Sequence, residues 1–396
     1  MPDTALSHLT VVELSTRVAV SFATKFLADF GAEVIKVERP VAGAPERRFG
    51  PYKDDHVTPD GSGLHLFLNT NKKSITLDPS TTTGAMTLKE LLKQADVFIE
   101  ATAPGTLESW ELSPGDLERA NPGLIVTSVT DFGQTGPYRD YKATDMVHWA
   151  MSSLLIGSGV AGREPIRIGD DVSEYVAGLN ACATTLGALI GRHRTGGQRI
   201  DLSVLESLMT VIPSNALSYS YNKTLTQRSG NRFPISIAQC KDGYVGFYTM
   251  LQHQWESFTV VLGKPELVDD PRFKTPYDRL QHANEAMAII RPWCMARTCE
   301  EIIRSAQELR VPMVKVASAK DVAEGPQFRA RNFFADVGNK ETGRIVAPGR
   351  PFNLERTPWS IRSKAPGLGQ HNLEIYCNRL GFSKDELVIL SEQGVL

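Results

Sequence analysis

The chain has little that would hold a metal. Its five cysteines, Cys182, Cys240, Cys294, Cys299 and Cys377, are scattered and odd in number, and no pair has C-x-x-C spacing. Its eight histidines form neither an H-x₃-H pair nor an H-E-x-x-H run. Zinc sites need clustered thiolates and imidazoles, so no metal is expected. Unpaired thiols point instead to a reducing, cytoplasmic setting. A run of about 18 apolar residues, the least that spans a membrane as a helix, is also missing. The opening MPDTALSHLT lacks the basic-then-apolar pattern of a signal peptide, and EQGVL is not the S-K-L peroxisomal address. Nor is there an excess of charge: 43 Lys and Arg face 45 Asp and Glu, a formal net charge of -2. That balance argues against a nucleic-acid partner held through phosphates, while leaving room for a local basic site. The expectation is a soluble protein with no membrane partner.

The 396 residues, 41% of them hydrophobic, are enough for two domains with sizeable cores. Residues 9–14 (LTVVEL) read as a β-branched strand. Residues 21–30 carry Phe22, Phe26, Leu27 and Phe30 at helical spacing, Gly31 ends the helix, and 32–37 (AEVIKV) form the next strand. So short a crossover predicts parallel neighbours. The rhythm continues with a strand at 74–77, a helix at 83–94 and strands at 96–99 and 124–129. No G-x-G-x-x-G follows the first strand, where the chain reads STRVAVS, so a dinucleotide site of the usual kind is disfavoured. A long helix rich in small residues is expected over 174–192, and a second over 202–212 after the strand-like GGQRIDL. The fold class predicted is α/β: a large Rossmann-like, doubly wound domain over 1–216 and a smaller α+β domain over 232–335. In the smaller one, strands are expected at 244–248 and 314–316, and helices at 253–262, 283–296 and 299–309. A hydroxyl-rich linker is expected over 217–231, and a Pro- and Gly-rich tail over 336–396, ending in a helical piece at 371–380.

Several separated blocks carry a resemblance. They are LADFGAEVIKVERP (27–40), NTNKKSITLD (69–78), DFGQTGPYRDYKATD (131–145), the TGGQRIDLSVLES block (192–207) and the PGLGQH of the tail. In this order and spacing the chain resembles family III CoA-transferases over nearly its full length. The resemblance implies an enzyme that moves coenzyme A from an acyl-CoA to a free carboxylic acid. It also implies an interlocked homodimer, in which residues 345–396 return to the large domain. CoA carries three phosphates, so its site needs cations and backbone N–H donors. Arg17 and Arg39 each follow a strand, where a doubly wound sheet presents residues to ligands. By resemblance Arg17, Val18, Arg39, Asn69, Asn71, Lys72 and Lys142 contact CoA.

In the family a carboxylate attacks the thioester and forms a mixed anhydride, and freed CoA returns as an enzyme thioester. That group is an Asp four residues before a Gly, at the start of the buried helix. Here the Gly is Gly178 and the position is Glu174, one methylene longer. Counting back from Arg192 and Thr195 gives the same residue. Asp170 and Asp171 lie just upstream and are alternatives, and all three carboxylates also suit ordinary helix capping.

Three departures from the family bear on substrate identity. Its E-N-F/Y-x-P-G becomes Glu100–Gly105 (EATAPG), its A-G-P becomes Ala19-Val20-Ser21, and its Q-A-x-S-G becomes His148-Trp149-Ala150-Met151-Ser152. His148 and Trp149 either shape an acyl pocket or pack. A 2-methylacyl-CoA racemase is an alternative, but it needs a His before the Asp that Thr144 precedes here. A CoA-binding protein that exchanges nothing is another.

Overall fold

The computed structural model describes residues 4–14, 16–160, 162–228, 230 and 232–396. Six strands make one sheet: β1 (Thr10–Leu14), β2 (Glu33–Glu38), β3 (Lys72–Thr76), β4 (Val97–Glu100), β5 (Ile125–Thr130) and β6 (Gln198–Ser203). Their order is β3-β2-β1-β4-β5-β6, and every neighbouring pair is parallel. The order reverses between β1 and β4, which opens a crevice beyond the carboxyl ends of those two strands.

Period-two alternation makes two cores from one sheet. Val12, Ile35 and Phe98 face one layer, with Leu88 and Leu91 of the helix Thr82–Leu92 and with Ile375 and Tyr376 of the tail. Their neighbours Val11, Val34 and Val97 face the other, against Ala19, Ala23 and Leu27 of the helix Val18–Asp29 and Ala177 and Ala181 of the helix Val172–Thr195. Each fully buried Val, Leu or Phe contributes roughly 1.5–3 kcal/mol of transfer free energy. The two helices of the second layer approach closely at Gly178. A Cβ there would stand 2.7 Å from the Ala19 carbonyl oxygen and 3.1 Å from the Phe22 ring, so only glycine permits the approach. That contact brings the first turn of Val172–Thr195 against the start of Val18–Asp29.

The chain divides into two compact units. The first comprises the residues up to Leu154, with Arg167–Asn222 and Ala330–Leu396. The second comprises Leu155–Ile166 and Lys223–Arg329. The second is built on an antiparallel sheet of β7 (Ile235–Cys240), β8 (Gly243–Tyr248) and β9 (Met313–Lys315), over a core of Phe233, Trp255, Phe258, Phe273 and Ile290.

Several sequence expectations need correcting. Ser214–Asn222 is a helix, so part of the expected linker 217–231 is ordered structure. The helix expected from 202 begins at Val204, because β6 runs to Ser203. The tail continues past its expected helical piece into a further helix, Lys384–Glu392, closed by a Ser383–Glu386 capping box. No helix among the described residues is long and apolar enough to cross a membrane.

Candidate active site

Two adjoining cavities lie along the carboxyl edge of the parallel sheet. One, of about 390 Å³, is bounded by Thr16, Arg39, Arg48, Leu77, Thr102 and Trp110 among others. The other, of about 290 Å³, includes Thr16, Arg17, Thr102, Asp131, Arg139 and Lys142. They share Thr16 and Ala101–Ala103, so both straddle the point where strand order reverses. Four cations, Arg39, Arg48, Arg139 and Lys142, lie on their walls and are exposed. A larger cavity of about 740 Å³ in the second unit is walled by residues such as Ile235, Ile237, Phe247 and Met313, with no carboxylate, imidazole or cation. Charged side chains line the trough on the sheet edge and not this cavity.

Glu174 sits in the first turn of Val172–Thr195, where the helix dipole favours an anion. Its Oε1 accepts from Arg17 Nε at 3.0 Å and also from Arg17 Nη2. Its Oε2 accepts from the backbone N–H of Ala19 at 3.1 Å, near the N-terminus of the helix Val18–Asp29. The third edge of the guanidinium, Nη1, donates to Asp131 Oδ1 at 2.6 Å. Burial alone would lower the Arg17 pKa, but the charges and hydrogen bonds of Glu174 and Asp131 outweigh it and raise it. For Asp131 burial works upward, and the hydrogen bonds of His148 and Arg17 prevail and hold its carboxyl below the ordinary value.

His148 is fully buried and does not line the trough. Its Nε2 lies 3.1 Å from Asp131 Oδ1 and its Nδ1 lies 3.1 Å from Ser173 Oγ. A carboxylate only accepts, so Nε2 carries a proton, and Nδ1 pairs with the serine hydroxyl. With both nitrogens engaged inside the protein, the ring offers no base to an α-carbon.

The structure separates the expected site residues into two groups. Glu174 and Arg17 are joined, Val18 is the half-buried first residue of the adjoining helix, and Arg39 and Lys142 line the trough. Asn69, Asn71 and Lys72 do not line it. Lys72 is 1% exposed, with Nζ 2.8 Å from Glu13 Oε2, 2.8 Å from the Ser21 carbonyl and 3.0 Å from Asn69 Oδ1. Asn69 bonds Glu46 and His65. Asn71 bonds Asp29 and the returning tail. All three sit in the interior, where the charge of Glu13 on β1 holds the Lys72 ammonium inward. Of the three candidate carboxylates, Asp170 and Asp171 are exposed and only Glu174 enters the Arg17 cluster.

Sequence reasoning missed Asp131 and Arg48. Asp131 directly follows β5, and the rule that singled out Arg17 and Arg39, residues just past a strand end, would have found it.

The family model described as CoA-transferase family III matches residues 6–372. The succinyl-CoA–D-citramalate CoA-transferase of Chloroflexus aurantiacus is 34% identical, over 100% of this chain and 99% of that one. The formyl-CoA:oxalate CoA-transferase of Streptomyces avermitilis is 29% identical, over 99% of this chain and 99% of that one. Among solved structures, a CAIB/BAIF family protein from Brucella suis is similar with a TM-score of 0.85 at 28% identity, over 95% of this chain and 99% of that one.

Proposed function

The chain belongs to CoA-transferase family III, whose members move CoA between carboxylic acids, and on that premise we propose that Glu174 is the nucleophile and that acyl-CoA lies in the trough. The observation that carries the reading is the Glu174 carboxylate itself, fixed at a helix N-terminus beside the trough by Arg17 and Ala19. Oε2 accepts one hydrogen bond from Ala19, which leaves a lone pair for attack. In the first half-reaction this oxygen attacks the thioester carbonyl, the C–S bond breaks, and a mixed anhydride and CoA thiolate form. The thiolate then attacks the Glu174 carbonyl, releasing the first acid and leaving an enzyme thioester. The second acid reverses both steps and leaves as its own CoA thioester, returning the carboxylate. No proton or redox partner is needed, so the protein's tasks are positioning and charge stabilisation.

The wall cations Arg39 and Lys142, together with Arg48 and Arg139, suit the phosphates of CoA. The two named relatives act on citramalate and oxalate, and a small dicarboxylic acid is the acceptor class we assign to this chain. The working assembly is a homodimer and the compartment the cytoplasm. The test is a panel of acyl-CoAs and free acids assayed for exchange, with mass spectrometry of the enzyme after each donor. Exchange accompanied by a hydroxylamine-sensitive adduct is expected. A chiral 2-methylacyl-CoA that gains deuterium at its α-carbon in D₂O without any acid exchange would establish the racemase instead.

A further inference from the structure

We infer that His148 is a positioning residue for transfer, acting on Glu174 from two sides through Asp131 and Ser173. This rests on Glu174 being the nucleophile.

The argument begins with burial. An imidazole in a packed core costs desolvation unless both nitrogens find partners. The partners of His148 are not incidental neighbours, because each touches a different part of the Glu174 assembly. Through Nε2 the ring holds Asp131 Oδ1, the oxygen that Arg17 Nη1 also uses at 2.6 Å. Asp131 Oδ2 accepts from the Ala143 N–H at 3.1 Å. Three donors from three segments therefore stop this carboxylate from turning. A fixed Asp131 fixes one edge of the rigid guanidinium, and that decides where Nε and Nη2 present themselves to Glu174 Oε1.

Through Nδ1 the same ring holds the hydroxyl of Ser173, the residue before Glu174. The Ser173 N–H is held in turn by Asp145 Oδ1 at 2.9 Å. Asp145 and His148 are three residues apart on the helix Asp145–Met151, so one face of one helix clamps Ser173 by both its backbone and its side chain. Asp145 Oδ2 is anchored by Arg167 at 2.8 Å, which keeps the clamp from swinging. The backbone of Glu174 is thus set from one side and its carboxylate from the other, with a single ring common to both. Burial requires two partners for the ring, but not that both belong to the Glu174 assembly.

Amide side chains separate the two contacts. Gln at 148 keeps a donor where Nε2 stood, and Asn keeps an acceptor near Nδ1. The experiment compares His148→Gln, His148→Asn and His148→Leu in steady-state exchange and in single-turnover formation of the Glu174 adduct. His148→Leu is expected to lower kcat and the adduct rate together by about 10²-fold, with KM for acyl-CoA changed less than about threefold. His148→Gln should recover most of that loss, since the Asp131 contact governs the guanidinium. An Asp131→Asn and His148→Leu double variant should lose less than the product of the two single losses, because the two share the Asp131 link. The inference is overturned if folded His148→Leu keeps kcat within about threefold, if KM alone rises, or if the two substitutions multiply. Should His148→Leu not fold, Gln and Asn decide in the same way: wild-type kcat in both overturns it. Failure of the underlying reading is distinguishable, because Glu174→Gln would then exchange CoA normally whatever His148 does.

Discussion

Asn71 Oδ1 accepts the backbone N–H of Arg362 at 2.6 Å, tying the start of β3 to a residue 291 positions away. The same oxygen accepts from the Ser363 N–H at 3.0 Å, and the amide nitrogen donates to Asp29 Oδ1 at 2.7 Å and to the Ser360 carbonyl at 2.9 Å. Its φ of 65° is left-handed, a conformation asparagine tolerates better than most residues. The side chain is therefore a clasp with three bonds to the returning tail and a fourth to the helix Val18–Asp29. Replacing it by Ala strands buried partners, and the cost should be about 2–4 kcal/mol. Asn71→Ala is expected to lower the melting temperature while leaving CoA affinity of the folded protein unchanged. Unaltered melting with weaker CoA binding would return Asn71 to the ligand site.

The opposite pattern is expected for the cations of the trough. Arg39→Ala and Lys142→Ala remove exposed charges, so melting should barely change. Each should weaken CoA binding by about 1–3 kcal/mol if it pairs directly with phosphate, and the loss should shrink as salt rises. Calorimetry at two ionic strengths reads both effects. Unchanged affinity in both variants would move CoA out of this trough.

Glu174→Gln retains size and hydrogen bonding and removes the nucleophilic anion. It should abolish exchange and the hydroxylamine-sensitive adduct while CoA still binds. Glu174→Asp withdraws the carboxylate by one methylene from Arg17 and Ala19, a shift of about 1 Å that should cost about 10²-fold in rate. Asp170→Asn and Asp171→Asn, both on exposed residues outside the cluster, should exchange nearly normally. Normal exchange in Glu174→Gln with loss in either upstream variant would place the nucleophile there.

The parts legible in the sequence were those written in local patterns. Strands such as TVVEL and VFIE announce themselves through β-branched and apolar runs, and Gly31 with its φ of 115° punctuates the first crossover. Ser214–Asn222 was invisible because it buries no residue, so its sequence shows no apolar stripe. β7, ISIAQC, escapes the sequence reading although it alternates buried and exposed residues and is longer than β1. The site was legible only in part, for a different reason. Lys72 reads by resemblance as a CoA contact, and only the fold shows Glu13 of β1, 59 positions earlier, bonded to its ammonium. Likewise Asp131, 114 positions from Arg17, and His148, 25 from Ser173, become one assembly only through the fold. Position along the chain singled out Glu174 as the candidate nucleophile; it could not reveal which polar residues look inward.

The loop that carries Arg39 and Arg48 is itself held by a buried carboxylate, and this makes a prediction about acid. Glu38 Oε2 accepts from Arg47 Nε at 2.7 Å and from the Ala44 N–H at 2.9 Å. Its Oε1 accepts from Arg47 Nη2 at 2.8 Å and from Ser74 Oγ at 2.6 Å. Burial alone would push this carboxyl up, but the Arg47 fork, the Lys36 charge and the Ser74 hydroxyl prevail and hold it at about 2. A carboxyl depressed on folding binds fewer protons folded than unfolded between the two values, so its contribution is present above the unfolded value. It is lost as pH falls from about 4.5 to about 2, and the full amount is about 3 kcal/mol. Chemical denaturation at a series of pH values should show stability falling through that window. Glu38→Gln should be less stable at pH 7, since Arg47 would keep Asp60 as its one close carboxylate partner, and should show a shallower acid limb. CoA affinity should decline in the same window as the loop loosens. An acid limb in Glu38→Gln as steep as that of the wild type would assign the transition to other carboxylates, with Glu13, buried between Lys36 and Lys72, the next to replace.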